Sequence, residues 1–365
     1  MAENIKVVGV VPSLNPDPKL VDVVKGLLEV GISNVLVIDD GSKEECLCFF
    51  NEVEKLEGCT VLHHEVNKGK GRAIKTAIEY YQKNFDLNEY KGIVTLDADG
   101  QHLSKDVYNC AVKLMENPNS LILGTRDFDD ENVPFKSRRG NKLTSMFFKL
   151  LYGVRVHDVM TGLRAIPNKI CNEGLEIASD RFEWETKMLI MAVNQRESVI
   201  EVIIETVYFD NNRETTFHPV KDSIRIYKIL FGTFFKFLFS ALICIIVDQG
   251  LFALFQKVIF KNLKIGNAIF AATALARLIS SFVNYLLNRN VVFENKGKSN
   301  KSVVRYYILC VCQMGVSALG VWGINKLTGI DPSIVKIIVD TLLFFVSYHV
   351  QRIWVFKKDA SGENQ

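Results

Sequence analysis

Gly92-Ile93-Val94-Thr95-Leu96-Asp97-Ala98-Asp99-Gly100-Gln101-His102 is a β-branched apolar run that stops at two carboxylates and an amide. A run of that length after a glycine reads as a strand buried on both faces, with the acidic residues at its carboxyl end. The same pattern recurs outward from it. Residues 5–12 end at Pro12, residues 34–41 (NVLVIDDG) contain Asp39 and Asp40, residues 60–65 make a third run, and residues 120–125 stop before Arg126. Helical patterns at 17–30, 43–56, 71–85 and 104–115 separate these runs. Strands alternating with helices predict an α/β domain, Rossmann-like, with a mostly parallel sheet covered on both faces. Ligands on such sheets bind beyond the carboxyl ends of the strands, where all these polar residues fall.

Alternate residues of an extended strand face one side, so Asp97, Asp99 and Gln101 are expected to converge. Two carboxylates and an amide oxygen suit a hard divalent cation such as Mg2+ or Mn2+, which shares its remaining positions with phosphate oxygens. An acidic turn is the plainer reading of the same residues. No G-x-G-x-x-G follows the first strand and no G-x-x-x-x-G-K-[ST] occurs, which argues against a dinucleotide or P-loop enzyme. Residues 67–72 (NKGKGR) precede a helix and fit either a phosphate or an ordinary loop. Phe182-Glu183-Trp184-Glu185 opens a helix, and its glutamates read equally as helix-start charges or as site residues. His63, His64, His157 and His218 lack metal-like spacing and are expected to be structural.

The charge is split along the 365 residues. Of 44 basic and 41 acidic residues, 15 and 6 lie from Phe234 onward, leaving 29 and 35 before it. The first part is therefore acidic, which argues against nucleic acid as a partner. The second part is basic and apolar, which suits anionic lipid. The eight cysteines (46, 48, 59, 110, 171, 244, 310 and 312) contain no C-x-x-C and are expected to be reduced thiols. The N-terminal apolar run is too short and too early for a signal peptide, so the first domain is expected in the cytoplasm.

Residues 234–256, 265–288, 304–325 and 333–353 each approach the ~20 apolar residues that cross a bilayer. Lys and Arg concentrate before the first span, between the second and third, and after the fourth. The positive-inside rule then places both termini and the central loop in the cytoplasm of a multi-pass cell-membrane protein. Asp248, Arg277 and Asp340 lie deep in this apolar background. They are expected either to lock the bundle or to form a polar site for a lipid headgroup. Residues 141–154 and 221–235 mix basic and apolar residues in the manner of interfacial amphipathic helices, though the first also reads as a core-facing helix.

The succession Pro12, Asp39-Asp40-Gly41-Ser42, Asn67-Lys68-Gly69-Lys70-Gly71, Asp97-Ala98-Asp99-Gly100-Gln101-His102 and Gly124-Thr125-Arg126 resembles the inverting glycosyltransferase family 2. Within that family it is most similar to the polyprenyl- and dolichyl-phosphate sugar synthases. The resemblance covers residues 5–233 and implies a GT-A fold and a nucleotide-diphosphate sugar donor. It implies that Pro12, Asp40 and Lys70 touch the nucleoside, with Asp39 as a helper, and that Asp97, Asp99 and Gln101 hold the metal. Arg126, with Arg138 or Arg139, would face phosphate groups, and Arg213 would lie near the diphosphate. Thr161, Gly162 and Arg164 belong to a stretch resembling the family's acceptor-side D-x-x-(S/T)-G-x-R. Two departures stand out: Asp17 occurs where the family often has Glu, and residues 211–219 replace the usual R-x-x-G-x-S-K.

Residues 234–356 resemble the GtrA-like four-span membrane domains, through residues 276–285, 288–293 and 351–356. The expected organisation is a GT-A domain at 1–220, a juxtamembrane amphipathic segment at 221–233, an all-α four-helix transmembrane domain at 234–356 and a cytosolic tail at 357–365. The implied activity is transfer of a hexose to polyprenyl phosphate, with a UDP-hexose as first choice of donor and GDP-mannose second. The product would serve cell-surface glycan (cell wall polysaccharide) biosynthesis. A lipid-linked sugar flippase whose soluble domain binds but does not catalyse is the alternative. The resemblance also admits a homo-oligomer.

Overall fold

The structure, a computed structural model, describes residues 5–128, 135–205, 219–262, 264–293 and 300–356. The chain divides into two compact units, Met1–Ile229 and Leu230–Gln365.

The first unit is a mostly parallel, seven-stranded α/β sheet. In chain order its elements are β1 (Val8–Ser13), α1 (Lys19–Glu29), β2 (Val35–Asp39), α2 (Leu47–Val53), β3 (Cys59–His63), α3 (Lys70–Asn84), β4 (Gly92–Thr95), α4 (Ser104–Glu116), β5 (Ser120–Arg126), α5 (Phe135–Tyr152), β6 (Arg164–Pro167), α6 (Asn168–Leu175), α7 (Glu183–Gln195) and β7 (Ser198–Ile204). The strand order is β3-β2-β1-β4-β6-β5-β7. β1, β2 and β4 are buried along their whole length, as continuous Val/Ile runs in a parallel sheet should be. Val11, Val37, Val94, Leu96, Ile122 and Ala165 carry the core, and Leu20, Val24, Leu27, Val107 and Leu114 from α1 and α4 pack against it.

Register levels the functional ends. Ser13 pairs with Asp39 and Val10 with Thr95, so the carboxyl ends of β1, β2 and β4 lie at one rim. β6 runs antiparallel to both β4 and β5, with Thr95 opposite Arg164. The amino end of β6 and the loop before it therefore reach the same rim, beside Arg126 at the end of β5.

Two local expectations are revised. The strand expected through Asp99 stops at Thr95, and Ala98 and Asp99 form a turn. The helix expected at 43–56 is a short 3-10 turn, Glu44–Cys46, followed by α2. The juxtamembrane segment and the first span share one helix, α8 (Pro219–Leu254).

The second unit continues α8 and adds α9 (Ile265–Leu287), α10 (Asn300–Thr328) and α11 (Pro332–Val350). Among the described residues four helices are long and apolar enough to cross a membrane, at Ile224–Ile259, Asn267–Val292, Lys301–Thr328 and Pro332–Val355. This makes the chain a membrane protein. α9 and α11 end in matching π-helical turns, Asn288–Val292 and Gln351–Val355. Six of the twelve residues at 282–293 recur at 345–356. Equivalent residues touch across the repeat. Asn288 Nδ2 donates to Gln351 Oε1 at 2.9 Å, and the rings of Phe293 and Phe356 lie 5.3 Å apart. Tyr285 meets Phe356 at 5.7 Å, and Phe293 meets Tyr348 at 6.1 Å. Such reciprocal contacts describe a pseudo-twofold axis relating the two helical hairpins.

Candidate active site

Asp97 and Asp99 follow β4 at the sheet rim. Strand alternation does not aim them. Asp99 Oδ1 accepts from the Gln101 backbone N–H at 3.0 Å, an Asx-type turn that orders the loop. Gly100 allows this turn at φ 77°. Asp97 Oδ1 accepts from Lys70 Nζ at 2.7 Å, and His102 Nε2 lies 3.7 Å from Oδ2. Burial alone would raise the Asp97 carboxyl, but Lys70 and His102 outweigh it and hold it well below the usual carboxylate range. Burial, and then the neighbouring Asp97 charge, raise the Asp99 carboxyl above its ordinary value.

The Lys70 ammonium, expected at the nucleoside, reaches Asp97 and, at 3.1 Å, Glu185 Oε1. Desolvation would lower it, yet the two carboxylates keep it charged and raise it above the ordinary lysine range. Glu185 is one of the two glutamates, with Glu183, that the sequence pattern left undecided. Its position follows from a tight contact: a Cβ on Gly71 would lie 2.6 Å from Trp184 Cβ, so only glycine lets α3 meet the start of α7 this closely.

Asp39 and Asp40 are buried at 3% and 4% exposure, and their oxygens are used by their own chain. Asp39 accepts from Ser42 N at 2.8 Å and pairs with His63 Nδ1 at 2.9 Å. Asp40 accepts from Lys68 N and Gly69 N at 2.9 and 2.7 Å and pairs with His64 Nδ1 at 2.7 Å. Asp40 thus staples the glycine-rich loop, and Pro12 is buried beside it in β1.

The acceptor-side stretch turns inward. Thr161 Oγ1 donates to Gly124 O at 2.5 Å. Arg164 is 1% exposed and donates to the carbonyls of Thr161, Glu185 and Val159 at 2.9, 2.6 and 3.1 Å. Burial lowers its pKa from the ordinary arginine value. A Cβ on Gly162 would lie 2.3 Å from Asp97 Oδ2, so this loop sits directly against the rim carboxylate. Arg126 is gripped by Asp158, Nε to Oδ2 at 2.7 Å and Nη2 to Oδ1 at 3.1 Å. Its guanidinium lies 4.9 Å from the Phe128 ring. Arg138 and Arg139 lie on α5, half-buried and exposed. Arg213 falls outside the described residues.

The residues of the expected membrane polar site separate. Asp248 accepts from Ser280 Oγ at 2.8 Å, with Arg277 Nε 3.6 Å away, between α8 and α9. Asp340 instead pairs with Lys336 at 2.8 Å and Ser317 at 2.6 Å, between α10 and α11.

Among the described residues no group of three or more His, Cys, Asp and Glu is arranged to hold a metal. The donor set still fits a hard divalent cation in charge and type. Asp97 and Asp99 supply two carboxylates two residues apart at the rim, and Asp97 already binds a cation, the Lys70 ammonium.

Two family matches divide the chain as the structure does. Residues 10–174 match glycosyl transferase family 2, and residues 236–356 match the GtrA/DPMS transmembrane domain. An uncharacterised protein of Methanocaldococcus jannaschii is 32% identical over 203 residues, covering 54% of this chain and 80% of that protein. The UDP-N-acetylglucosamine–dolichyl-phosphate N-acetylglucosaminyltransferase of Methanococcus voltae is 27% identical, over 54% of this chain and 84% of that enzyme. The polyprenol monophosphomannose synthase of Mycolicibacterium smegmatis is 25% identical, over 47% and 65%. With its mostly parallel GT-A sheet and four apolar helices, the chain belongs to glycosyl transferase family 2 and carries a C-terminal GtrA/DPMS transmembrane domain.

Proposed function

We propose that this protein is an inverting glycosyltransferase that moves a hexose from a nucleotide-diphosphate sugar to polyprenyl phosphate, with its catalytic unit on the cytoplasmic side. The observation that carries this reading is the pair Asp97 and Asp99 at the carboxyl rim of β4, with Lys70 bound to Asp97, in a chain that continues into membrane-spanning helices. The names of the Methanococcus and Mycolicibacterium relatives support a dolichyl- or polyprenyl-phosphate acceptor. They also support a UDP-sugar as first donor, N-acetylhexosamines included, and a mannose donor second.

The acceptor is a phosphate monoester with a second pKa near ~6, so it is already an anion at neutral pH and needs no strong base. One of its oxygens attacks the anomeric carbon in line as the nucleoside diphosphate leaves from the opposite face. The work left to the protein is to align two anions and to stabilise the departing one. Asp97, Asp99 and Gln101 would hold Mg2+ or Mn2+, which supplies Lewis-acid stabilisation of the leaving diphosphate. Arg126, locked in orientation by Asp158, offsets repulsion between the phosphate groups, together with Arg138 or Arg139 from α5. The buried Thr161–Arg164 stretch shapes the wall behind Asp97 and leaves phosphate contact to these arginines.

α5 supplies the route to the lipid. Leu143, Met146 and Leu150 are exposed on one face at 44%, 54% and 46%, while Phe148, Leu151 and Tyr152 are buried on the other. Lys142 and Lys149 are exposed beside the apolar stripe, as on helices that lie in the headgroup layer. Membranes containing the protein, incubated with polyprenyl phosphate, Mn2+ and a panel of labelled nucleotide sugars, should yield a lipid-extractable single-sugar product. A panel that yields none rejects the reading, and a lipid-linked sugar moved across vesicles without any synthesis supports the flippase instead.

A further inference from the structure

The backbone at Lys70 is placed with little freedom. Lys70 opens α3, and the residue before it, Gly69, has φ 101° and would meet Asp180 O at 2.4 Å if it carried a Cβ. Asp40 holds the two preceding backbone N–H groups. The stem then carries the ammonium to two carboxylates of different kinds. Asp97, 2.7 Å away, is a rim group whose side chain is 38% exposed. Glu185, 3.1 Å away, is 10% exposed, and its own carbonyl is held by Arg164 at 2.6 Å. Glu185 therefore cannot follow the ammonium outward, whereas Asp97 faces whatever binds at the rim.

A divalent cation seated on Asp97 would compete with the ammonium for the same carboxylate, because two cations on one oxygen repel. The stem of Lys70 is flexible and Glu185 offers it a second partner, so the ammonium can yield Asp97 without being stranded in a poorly hydrated site. We propose that Lys70 is a tethered cation that competes with the divalent ion for Asp97, retreats onto Glu185 when the ion binds, and then serves the donor diphosphate. Glu185 is the positioning residue that makes this exchange cheap. This rests on the reading of Asp97 and Asp99 as the cation site, and it adds that the ion and the lysine are antagonists before the nucleotide arrives and allies afterwards.

The exchange predicts opposite signs in two binding measurements on the full-length detergent-solubilised protein, neither of which uses acceptor or turnover. Lys70→Gln should bind Mn2+ about ten-fold more tightly in the absence of nucleotide, read by electron paramagnetic resonance of free Mn2+. The same variant at saturating Mn2+ should bind UDP or GDP about ten-fold more weakly by calorimetry. Glu185→Gln removes the refuge, so it should weaken Mn2+ binding. In the double variant the effect of Glu185→Gln on Mn2+ should vanish, because there is no ammonium left to relocate. Lys70→Gln with a wild-type melting temperature but unchanged or weaker Mn2+ affinity overturns the inference. So does Glu185→Gln with unchanged Mn2+ affinity, or an absence of Mn2+ binding in every variant. Failure of wild-type protein to glycosylate polyprenyl phosphate, with the opposed binding changes intact, would instead overturn only the acceptor assignment.

Discussion

Two stretches rich in the same residue types meet at the rim and behave differently. Asp97, Asp99, Lys70 and Glu185 form a cluster in which one ammonium is shared between two carboxylates and a third carboxylate is raised by burial and then by its neighbour. Thr161 and Arg164 form a cluster in which the hydroxyl and the guanidinium are spent on backbone carbonyls. On the proposed reading the first exchanges partners with a ligand, whereas the second stays in the wall it forms. A motif residue therefore acts in chemistry only if its polar atoms can change partners, and burial decides that more than identity does.

The sharpest way to break the comparison is Asp99→Asn. Turnover should fall by about 10³-fold in an extraction assay for glycosylated lipid. Stability should not fall with it. The Asp99 carboxyl is raised in the folded state, so the fold binds that proton more tightly than the unfolded chain does. Its ionised form costs stability at neutral pH, a cost relieved as pH drops through the raised value. The Asn variant should melt at or above the wild-type temperature at pH 7, and a clear drop would show that Asp99 belongs to the structural cluster.

Arg164→Met should do the reverse. Three carbonyls lose their donor, a loss of about 3 kcal/mol or more that should lower the melting temperature by about 10 °C. The acceptor KM of the surviving folded protein should change little. A stable variant with a selectively raised acceptor KM would return Arg164 to the acceptor side.

Gly162→Ala probes the seam between the clusters. Its Cβ would overlap Asp97 Oδ2 at 2.3 Å, so the rim carboxylate must shift. Catalytic efficiency should fall about ten-fold while the melting temperature moves by a few degrees at most. The smallest effect is expected outside both clusters. Replacing Leu143, Met146 and Leu150 together by Ser should raise the polyprenyl phosphate requirement about five-fold and leave nucleotide affinity unchanged.

Much of this was legible before any coordinates. The Val/Ile runs ending in acidic residues announced the sheet and its rim, because continuous burial in a parallel sheet demands such runs. Asp97 and Asp99 were legible as rim carboxylates but not as a turn, since periodicity cannot say where a strand stops. Glu185 carried only the weak signal of an acidic helix start, which fits a plain helix N-terminus equally well. The repeat of Tyr285 to Phe293 at Tyr348 to Phe356 was available in the letters, but its meaning as a symmetry axis needed the cross-contacts.

The sequence by itself determined the alternation of strands and helices, the four apolar spans and the acidic end of β4. These depend on local periodicity and hydropathy, which each segment carries alone. Tertiary structure alone decided that β6 runs antiparallel and brings Gly162 against Asp97, that Asp40 and Arg164 are buried and spent, and that Lys70 stands between Asp97 and Glu185. Those outcomes depend on which distant segments cross at the rim. A charged side chain's role follows from the partners and the water it is left with there, and neither is written in its own neighbourhood of the chain.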